Sequence, residues 1–471
     1  MSPRACVALL AALTALAASP AWAQQGNRPP ERWQRLAREI LKELVEINTT
    51  DSQGDNTAAA EAMRRRLLAA GFPEEDVVVV EPAPRKGNLV ARLRGRGTGK
   101  KPILLLAHID VVEADSADWT LPPFELVERD GMFYGRGTAD DKDEAAIHVA
   151  NLIRLKAEGY VPDRDIIVAL TADEEGGPVN GVRWLLENRR ELIDAAFALN
   201  EGGGGVVKDG RKVANTVQAA EKKYLDFTLE VTNPGGHSSR PRDDNAINEL
   251  ALALTRIAAY RFPVRLNEVT RAYLQRSAEQ AEPALAEAMR RLLEDETDTA
   301  AIRVLSGDAD LTVMLRTTCV ATMLSGGHAR NALPQRARAN VNCRLLPDED
   351  PVEVQRTLER VAAVPTLQIT PVGVARDSPP SPLTEEVLDA IERVTAEMWP
   401  GVPVIPTMST GATDGLYLRN AGIPVYGVSG LFYGATFSHG MNERIPVDAF
   451  YEGQEFLYRL VKLLSSSDVS D

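Results

Sequence analysis

The chain has 471 residues, of which 44% are hydrophobic and 25% charged, with 53 Lys and Arg against 67 Asp and Glu and three cysteines. These are globular values that exclude a disordered, collagenous or coiled-coil chain, and the formal net charge of −14 argues against nucleic-acid and membrane-surface roles. Three cysteines cannot build a disulfide scaffold or a thiolate zinc finger, so any bound metal would have to be held by His and carboxylates.

The first residues have the features of a secretory signal peptide. Arg4 precedes an apolar run from Ala5 to Ala18, and Ala21-Trp22-Ala23 is a small-x-small cleavage pattern. The run is shorter than a membrane span requires, and Ser19-Pro20 interrupts it. We therefore predict that residues 1–23 are removed, that the mature chain has no membrane span, and that it is secreted or periplasmic.

From residue 24 to residue 217 the pattern alternates helices with short apolar strands. A helix is predicted where apolar residues recur every three or four positions between Trp33 and Ile47. Further helices are predicted at 57–70, 143–157 and 181–189, and strands at 77–80, 88–93, 103–107, 166–171 and 196–199. Apolar strands alternating with helices predict a mostly parallel sheet covered on both faces, with ligands bound beyond the carboxyl ends of its strands.

The pattern changes near residue 218. The alternating run Tyr224–Val231 predicts a strand with one solvated face. It is followed by predicted helices at 245–258, 279–294 and 352–362 and a strand at 338–346, and after Pro379-Pro380 by a helix at 384–398, a strand at 424–428 and a helix at 448–464. We predict an α/β fold in which a mixed, mostly parallel sheet flanked by helices forms a catalytic domain (24–217 and 375–471). An α+β lid domain (218–374) is inserted into it.

The predicted mature chain keeps two cysteines, Cys319 and Cys343. An oxidising compartment could join them in a disulfide. Two inert buried thiols fit the spacing equally well, so the sequence leaves both states open.

Acidic and histidine side chains collect where the predicted strands end. His108 and Asp110 follow the strand at 103–107, a spacing that suits a metal ligand and the carboxylate that orients it. Further carboxylates follow in Gly135–Lys142, Asp173-Glu174-Glu175 and Asn200-Glu201-Gly202. Four carboxylate-bearing ends at one sheet edge would repel one another unless cations lay between them, and two divalent metal ions would meet that need.

In their order along the chain, these motifs resemble the M20 di-zinc metallopeptidases, which include glutamate carboxypeptidases, dipeptidases, succinyl-diaminopimelate desuccinylase and aminoacylases. The matching strings are His-x-Asp, Gly-Arg-Gly-x-x-Asp-Asp-Lys, Asp-Glu-Glu-Gly, Asn-Glu-Gly, Gly-Gly-His-Ser and Ser-His-Gly-x-Asn-Glu, spread over residues 48–446. Each string is weak alone, but six in the right order make a chance match improbable.

The resemblance implies a site with two zinc ions per chain, for which Co²⁺ or Mn²⁺ are alternatives in the same N/O ligand set. His108 and Glu201 would hold one ion. Glu175 and His439 would hold the other, and Asp140 would bridge the pair. The Asp140-Asp141 peptide bond is expected to be cis.

Three further residues would carry the catalysis that the resemblance implies. Glu174 would be the general base, taking a proton from the water between the metals and passing it to the leaving nitrogen. Asp110 would orient His108. His237, in the Gly-Gly-His-Ser string of the lid, would stabilise the tetrahedral oxyanion once the lid closes.

Substrate binding is implied at four positions. Asn331 and Arg344 match residues that bind the substrate carboxylate in relatives, and arginine offers a planar, permanently charged fork for it. The family often has Asp two residues before this arginine, whereas this chain has Asn342. Gly411 and Thr413 lie in a stretch that resembles the loop whose backbone also faces the carboxylate.

These observations predict a secreted zinc-dependent metallopeptidase of carboxypeptidase or dipeptidase type, which hydrolyses a peptide or amide bond next to a free C-terminal carboxylate. The alternative enzyme is an aminoacylase-like N-acyl-amino-acid amidohydrolase, which would share every catalytic residue. The alternative outside enzymes is a periplasmic solute-binding protein, in which Glu174 would have no role. The resemblance also implies a homodimer through the lid, with His237 acting in its own subunit or in the partner.

Overall fold

A computed structural model of the protein describes residues 26–466, so the predicted signal peptide at 1–23 lies outside the described residues. Within 26–466, no helix is both long enough and apolar enough to cross a membrane. The α-helices are α1 (Glu31–Glu46), α2 (Asn56–Ala69), α3 (Lys142–Ala157), α4 (Gly181–Asn188), α5 (Ala246–Ala259), α6 (Glu268–Ser277), α7 (Pro283–Glu294), α8 (Thr299–Leu305), α9 (Ala309–Met314), α10 (Pro351–Ala362), α11 (Glu385–Met398), α12 (Gly415–Asn420) and α13 (Val447–Ser465).

The strands form two main sheets and two small ones. They are β1 (Val77–Val80), β2 (Asn88–Leu93), β3 (Ile103–His108), β4 (Val127–Arg129), β5 (Met132–Tyr134), β6 (Ile166–Thr171), β7 (Phe197–Asn200), β8 (Gly205–Lys208), β9 (Arg211–Glu221), β10 (Lys223–Thr232), β11 (Gly236–His237), β12 (Thr318–Gly326), β13 (Ala332–Leu333), β14 (Arg336–Leu345), β15 (Leu367–Val372), β16 (Val404–Ser409), β17 (Val425–Gly427), β18 (Phe432–Tyr433) and β19 (Arg444–Pro446).

The larger sheet has the order β1-β2-β6-β3-β7-β17-β9-β8-β18, with β16 also paired to β9. Its centre is parallel, since β3 pairs in parallel with β6 and β7, whereas β1 and β2 run antiparallel at one edge. Both faces are covered, because Leu105 on β3 joins the core cluster of α1, α2 and α3 whereas its neighbour Leu104 joins the cluster of α4 and α12. Burial on both faces explains the continuous apolar runs in the sequence, and the predicted α/β fold is confirmed.

The smaller sheet has the order β12-β14-β10-β15 and a separate core. Helices α5 and α10 pack on one of its faces, and buried residues such as Phe227 and Val341 alternate with half-buried or exposed ones along the strands. Cys319 and Cys343 lie directly opposite each other on β12 and β14, and they form a disulfide. The sequence left open a disulfide or two free thiols, and the structure shows the disulfide.

The segment from α6 to α9 departs from the predicted lid. Its apolar side chains, including Leu274 on α6, Met289 on α7 and Leu311 on α9, belong to the core cluster of the larger sheet, and α6 packs against β16. The predicted lid at 218–374 thus contains two parts that pack differently. Amphipathic periodicity shows that a helix has an apolar face but not which sheet that face covers, so the sequence could not reveal this.

Candidate metal centre

The five predicted metal ligands converge at one edge of the larger sheet. His108 is the last residue of β3, Glu201 follows β7, and Glu175 lies in the loop after β6. Asp140 lies just before α3, where the Asp140-Asp141 peptide bond is cis, and His439 lies in the loop between β18 and β19. Because parallel strands end together, residues far apart in sequence meet at this edge.

Asp140 is shared between two groups of side chains. Its Oδ1 lies 3.1 Å from His108 Nε2, and its Oδ2 lies 3.1 Å from His439 Nε2. His108, Asp140 and Glu201 form one group and Asp140, Glu175 and His439 the other, and within each group the ligand atoms lie within 4.8 Å of one another. Tetrahedral ligands about 2.0–2.1 Å from a zinc ion lie roughly 3.3 Å apart, so nitrogen and oxygen atoms at these distances fit two such ions with Asp140 between them.

The same side chains strongly perturb one another's protonation. Hydrogen bonds to the carboxylates of Asp140 and Glu175 raise the pKa of His439 to about 10. Burial raises the pKa of Glu201 to about 8. Burial disfavours the charged form of His108, but the neighbouring carboxylates outweigh it and raise the pKa of His108 as well. Protons therefore occupy this centre when cations do not, and metal binding is expected to release them.

Asp110, predicted to orient His108, contacts both that histidine and the loop after β6. His108 Nδ1 lies 3.0 Å from the backbone oxygen of Asp110 and 3.6 Å from its Oδ1, so the closer partner is the backbone. The Asp110 carboxylate instead accepts hydrogen bonds from the backbone N–H groups of Glu174 (3.2 Å) and Glu175 (3.0 Å). It thereby ties the end of β3 to the loop that presents the proposed general base.

That loop is held from its other side by a buried ion pair. Lys86 Nζ lies 2.6 Å from Asp173 Oδ1 and 2.6 Å from Asp51 Oδ1, and the second Asp173 oxygen accepts from the backbone N–H of Val179 (3.0 Å). Asp173 has a φ of 62°, a conformation that non-glycine residues rarely adopt. The pair with Lys86 therefore fixes an unfavourable backbone geometry directly before Glu174.

Replacing Lys86 by Met is expected to lower kcat by roughly 10²-fold, because a misplaced catalytic group costs about that much. KM should change little, and Lys86→Arg should restore part of kcat by keeping the charge. The control is Lys101→Met, which removes an exposed ion pair with Asp194. If Lys86→Met lowered thermal stability but left kcat unchanged, Lys86 would have a structural role only.

A second buried ion pair joins two loops of the metal centre. Arg136 Nη1 lies 2.6 Å from Glu443 Oε2, Arg136 Nη2 donates to the Gly440 oxygen, and Glu443 Oε1 accepts from the backbone N–H of Ala139. These contacts fix the segment that carries Asp140 against the segment that carries His439. Sequence reasoning missed the pair although both residues stand inside the quoted motifs, because their separation of 307 residues hides the contact.

The model of Peptidase family M20/M25/M40 matches residues 104–463, which is most of the chain. The chain belongs to this family. Its relatives include the human N-fatty-acyl-amino acid synthase/hydrolase PM20D1, 27% identical over 93% of this chain and 90% of the relative. Another is the probable carboxypeptidase S-like 2 of Dictyostelium discoideum, 28% identical over 91% of this chain and 84% of the relative.

Solved structures of M20 proteins share the fold. A metallo-carboxypeptidase from Sulfolobus solfataricus is 20% identical, with a TM-score of 0.68 over 91% of this chain and 99% of that one. A dinuclear metal-binding peptidase from Bacillus subtilis is 13% identical, with a TM-score of 0.60 over 93% and 99%. As an M20 member, the protein is a hydrolase of peptide or amide bonds, and the solute-binding alternative is set aside.

His237 and Asn331, both in the predicted lid, make their contacts at the small β11–β13 pair. His237 hydrogen-bonds Ser239 through Nδ1 (2.7 Å), and the backbone oxygen of Asn331 accepts from Ser238 (3.0 Å), so the predicted oxyanion residue and Asn331 are neighbours at the β11–β13 pair. Among residues 26–466, no hydrogen bond or ion pair joins His237, Asn331 or Arg344 to the metal ligands. The roles that the resemblance implies for them would need a closing motion of the lid or, for His237, its delivery to the metal ligands of a partner subunit.

The position of Arg344 is explained by the strand beside it. Its guanidinium lies 4.7 Å from the ring centroid of Tyr224, the residue opposite it on β10. Asn342, which stands where relatives often have Asp, donates to Asp226 Oδ1 (3.0 Å) on the same neighbouring strand. A carboxylate is thus still present beside Arg344, but β10 supplies it.

Gly411 and Thr413, predicted to face the substrate carboxylate, make hydrogen bonds within the protein. The backbone N–H of Gly411 donates to Ser409 Oγ (3.0 Å), and Thr413 donates to Glu221 Oε2 through both its backbone N–H (3.1 Å) and its hydroxyl (2.9 Å). Glu221 is fully buried and also pairs with Arg419 at 2.6 Å. Both Thr413 donors are therefore bound to a buried carboxylate in this conformation, whereas the Gly411 N–H is bound to a serine hydroxyl.

Proposed function

We propose that the protein is a secreted di-zinc hydrolase of N-acyl amino acids that cuts the amide bond next to the free carboxylate. The proposal rests on the position of Asp140, which contacts both His108 and His439. Glu174, the proposed general base, is next in sequence to the proposed ligand Glu175. Relatives named as N-fatty-acyl-amino acid hydrolases match nearly the whole chain, which favours an acyl group over a second amino acid.

The metal ligands would be His108, Asp140 and Glu201 for one ion and Asp140, Glu175 and His439 for the other. Two bound Zn²⁺ ions would supply Lewis-acid polarisation of the substrate carbonyl and lower the pKa of water, and Co²⁺ or Mn²⁺ fit the same donors. Glu174 would take a proton from the attacking water on a carboxylate oxygen and pass it to the leaving nitrogen. Burial and the charge of nearby Glu201 raise the pKa of Glu174 well above its usual value, which makes it a better proton carrier near neutral pH.

The substrate carboxylate would be bound by Arg344, with Asn331 beside it and His237 at the oxyanion. Arg344 is half-buried and, among the described residues, makes no ion pair. Stacking on Tyr224 holds the guanidinium in place while leaving its N–H groups available for a carboxylate.

The test compares substrates on the zinc-loaded mature protein. We expect kcat/KM for an N-acyl amino acid to exceed that for a dipeptide with the same C-terminal residue by at least about tenfold, equivalent to roughly 1.4 kcal/mol of transition-state stabilisation. Faster cleavage of the dipeptide would instead favour the peptidase type, a second candidate supported by the carboxypeptidase S-like relative.

Secretion is supported by the cysteines. A disulfide such as Cys319–Cys343 is typical of secreted and periplasmic proteins and rare in the cytosol. Together with the signal-peptide pattern, this supports export and removal of residues 1–23. Amino-terminal sequencing of the exported protein tests it, with Gln24 as the expected first residue.

We also propose a homodimer that forms through the smaller sheet. β12 is an edge strand of that sheet and exposes Val320, Met323 and Leu324, of which the last two are each 71% exposed. Ile247 and Leu252 on α5, which packs beside β12, are also exposed. An open, apolar edge strand is a template for pairing with another chain, and a second copy would cover it with its own β12.

Leu324→Arg is expected to convert this dimer to a monomer, because it places a charge at the pairing edge. The matched control is Val372→Arg, on β15 at the opposite edge of the sheet, which should remain dimeric. Light scattering after size-exclusion chromatography measures both. A monomeric unmodified protein at micromolar concentration would contradict the proposal.

A further inference from the structure

Arg344 lies on the face of the smaller sheet that is opposite its helices. Helices α5 and α10 pack against the face that carries Phe227 and Val341. Side chains alternate along a strand, so Tyr224, Asp226 and Arg344 lie on the other face. Tyr224 is 49% exposed and Arg344 is half-buried. The position of the Arg344 guanidinium therefore depends on its neighbours on the sheet.

The neighbour that holds this guanidinium is an aromatic ring. The guanidinium carbon of Arg344 lies 4.7 Å from the ring centroid of Tyr224, directly opposite on β10. Within residues 26–466, the guanidinium donates no hydrogen bond to the protein. Stacking holds a guanidinium by its flat face and leaves the edge with its N–H groups unoccupied. The Tyr224 ring thus determines the plane in which Arg344 can offer two parallel N–H groups to a carboxylate.

The Tyr224 ring is itself held by Asp226. The Tyr224 hydroxyl donates to Asp226 Oδ2 (2.5 Å), and Asp226 Oδ1 accepts from the amides of Asn342 (3.0 Å) and Asn340 (2.9 Å). Burial disfavours the charged form of Asp226, but these hydrogen bonds and the charge of Arg344 outweigh it and lower the pKa of Asp226. Both oxygens of this carboxylate accept from uncharged donors, which leaves the charge of Arg344 available to a ligand.

We propose that Tyr224 and Asp226 are positioning residues for Arg344, in which Asp226 fixes the Tyr224 ring and the ring orients the guanidinium for the substrate carboxylate. This rests on the role of Arg344 in the proposed function. It also explains how Asn342 can stand where relatives often have Asp, because the carboxylate beside Arg344 comes from the neighbouring strand.

Asp226 has two effects on a bound carboxylate, and they have opposite signs. Its charge repels the ligand, but Asp226 and Arg344 are diagonal neighbours, which lie about 7–8 Å apart on a sheet. On a solvated surface, repulsion over that distance weakens binding by only roughly twofold. Loss of one net hydrogen bond weakens binding by about fivefold, so we expect the positioning effect to dominate.

The first experiment measures KM and kcat of zinc-loaded variants. The substrate is the better hydrolysed of an N-acyl amino acid and a dipeptide, since both end in a free carboxylate. Arg344→Gln should raise KM at least about tenfold, and Tyr224→Phe and Asp226→Asn about fivefold each, with kcat nearly unchanged. The matched control is Glu230→Gln, which removes a carboxylate from the same face of β10 and should leave KM unchanged.

The second experiment separates positioning of Arg344 from a general effect on the sheet. If Asp226 acts through the Tyr224 hydroxyl, the double variant with Tyr224→Phe and Asp226→Asn should raise KM no more than either single substitution. The C-terminal amide of the same substrate has no carboxylate, so kcat/KM for the amide should be the same in every variant as in the unmodified enzyme.

The outcomes distinguish this inference from the proposed function. A raised KM in Arg344→Gln with an unchanged KM in Tyr224→Phe and Asp226→Asn would overturn the positioning roles and leave the proposed function intact. An unchanged KM in Arg344→Gln would overturn the proposed binding of the carboxylate by Arg344, and the inference with it. Equal losses on the acid and the amide, or a double variant in which the two effects multiply, would also overturn the inference.

Discussion

Glu174→Gln is expected to lower kcat by roughly 10²–10⁴-fold, the usual contribution of a general acid–base. The substitution keeps the size of the side chain and its hydrogen-bonding oxygen but removes the ability to take a proton from water. Glu174 belongs to neither group of metal-ligating side chains, so metal content should stay at two ions per chain and KM should change little. Steady-state kinetics and elemental analysis of the same preparation measure both effects.

The control for this prediction is Glu187→Gln, an exposed position on α4. It makes the same chemical change away from the metal centre and should leave kcat unchanged. A Glu174→Gln enzyme with two metals and nearly full activity would show that another group moves the proton.

The fold was predictable wherever the pattern of side chains depends on burial. The central strands β3 and β6 are apolar up to their last residues because helices cover both faces, and this signal is local in the sequence. The segment from α6 to α9 was not predictable in the same way. Its helices carry apolar faces, but the contact of α6 with β16 joins residues more than a hundred positions apart.

The candidate site likewise has a part that was predictable from the sequence and a part that was not. His108 and Glu201 stand at the ends of apolar strands, so the rule that parallel strands end together already predicts that they meet. The contacts that hold the site in shape are long-range pairs of charges, such as Lys86 with Asp173 and Arg136 with Glu443. A lysine or arginine that pairs inside the protein has the same appearance in a sequence as one on the surface.

Thr413 has an internal hydrogen-bond partner that its position in the sequence did not indicate. Its place in the loop matched a substrate-facing stretch, but the buried carboxylate of Glu221 takes both of its donors. A buried charge must be satisfied by hydrogen bonds or an opposite charge, and that demand decided where the Thr413 side chain points.

Asp140→Asn is expected to reduce the metal content of the protein from two ions per chain to none or nearly none, and hydrolysis with it. Asp140 offers one oxygen to each of the two groups, Oδ1 beside His108 and Oδ2 beside His439. Asparagine keeps the shape but replaces one oxygen by an N–H₂ group, which cannot ligate a cation, and it removes the negative charge between the two ions. Elemental analysis after dialysis gives the ions per chain.

Single-ligand variants distinguish a bridge from two independent sites. Glu201→Gln and His439→Gln each remove a ligand from one group only, so each should lose one ion and keep the other. If Asp140 bridges the pair, Asp140→Asn must retain less metal than either single-ligand variant. Added zinc should then no longer raise the thermal unfolding midpoint of Asp140→Asn, because a ligand stabilises a protein only by binding its folded state. Retention of two ions by Asp140→Asn would mean that the two groups do not depend on a shared carboxylate.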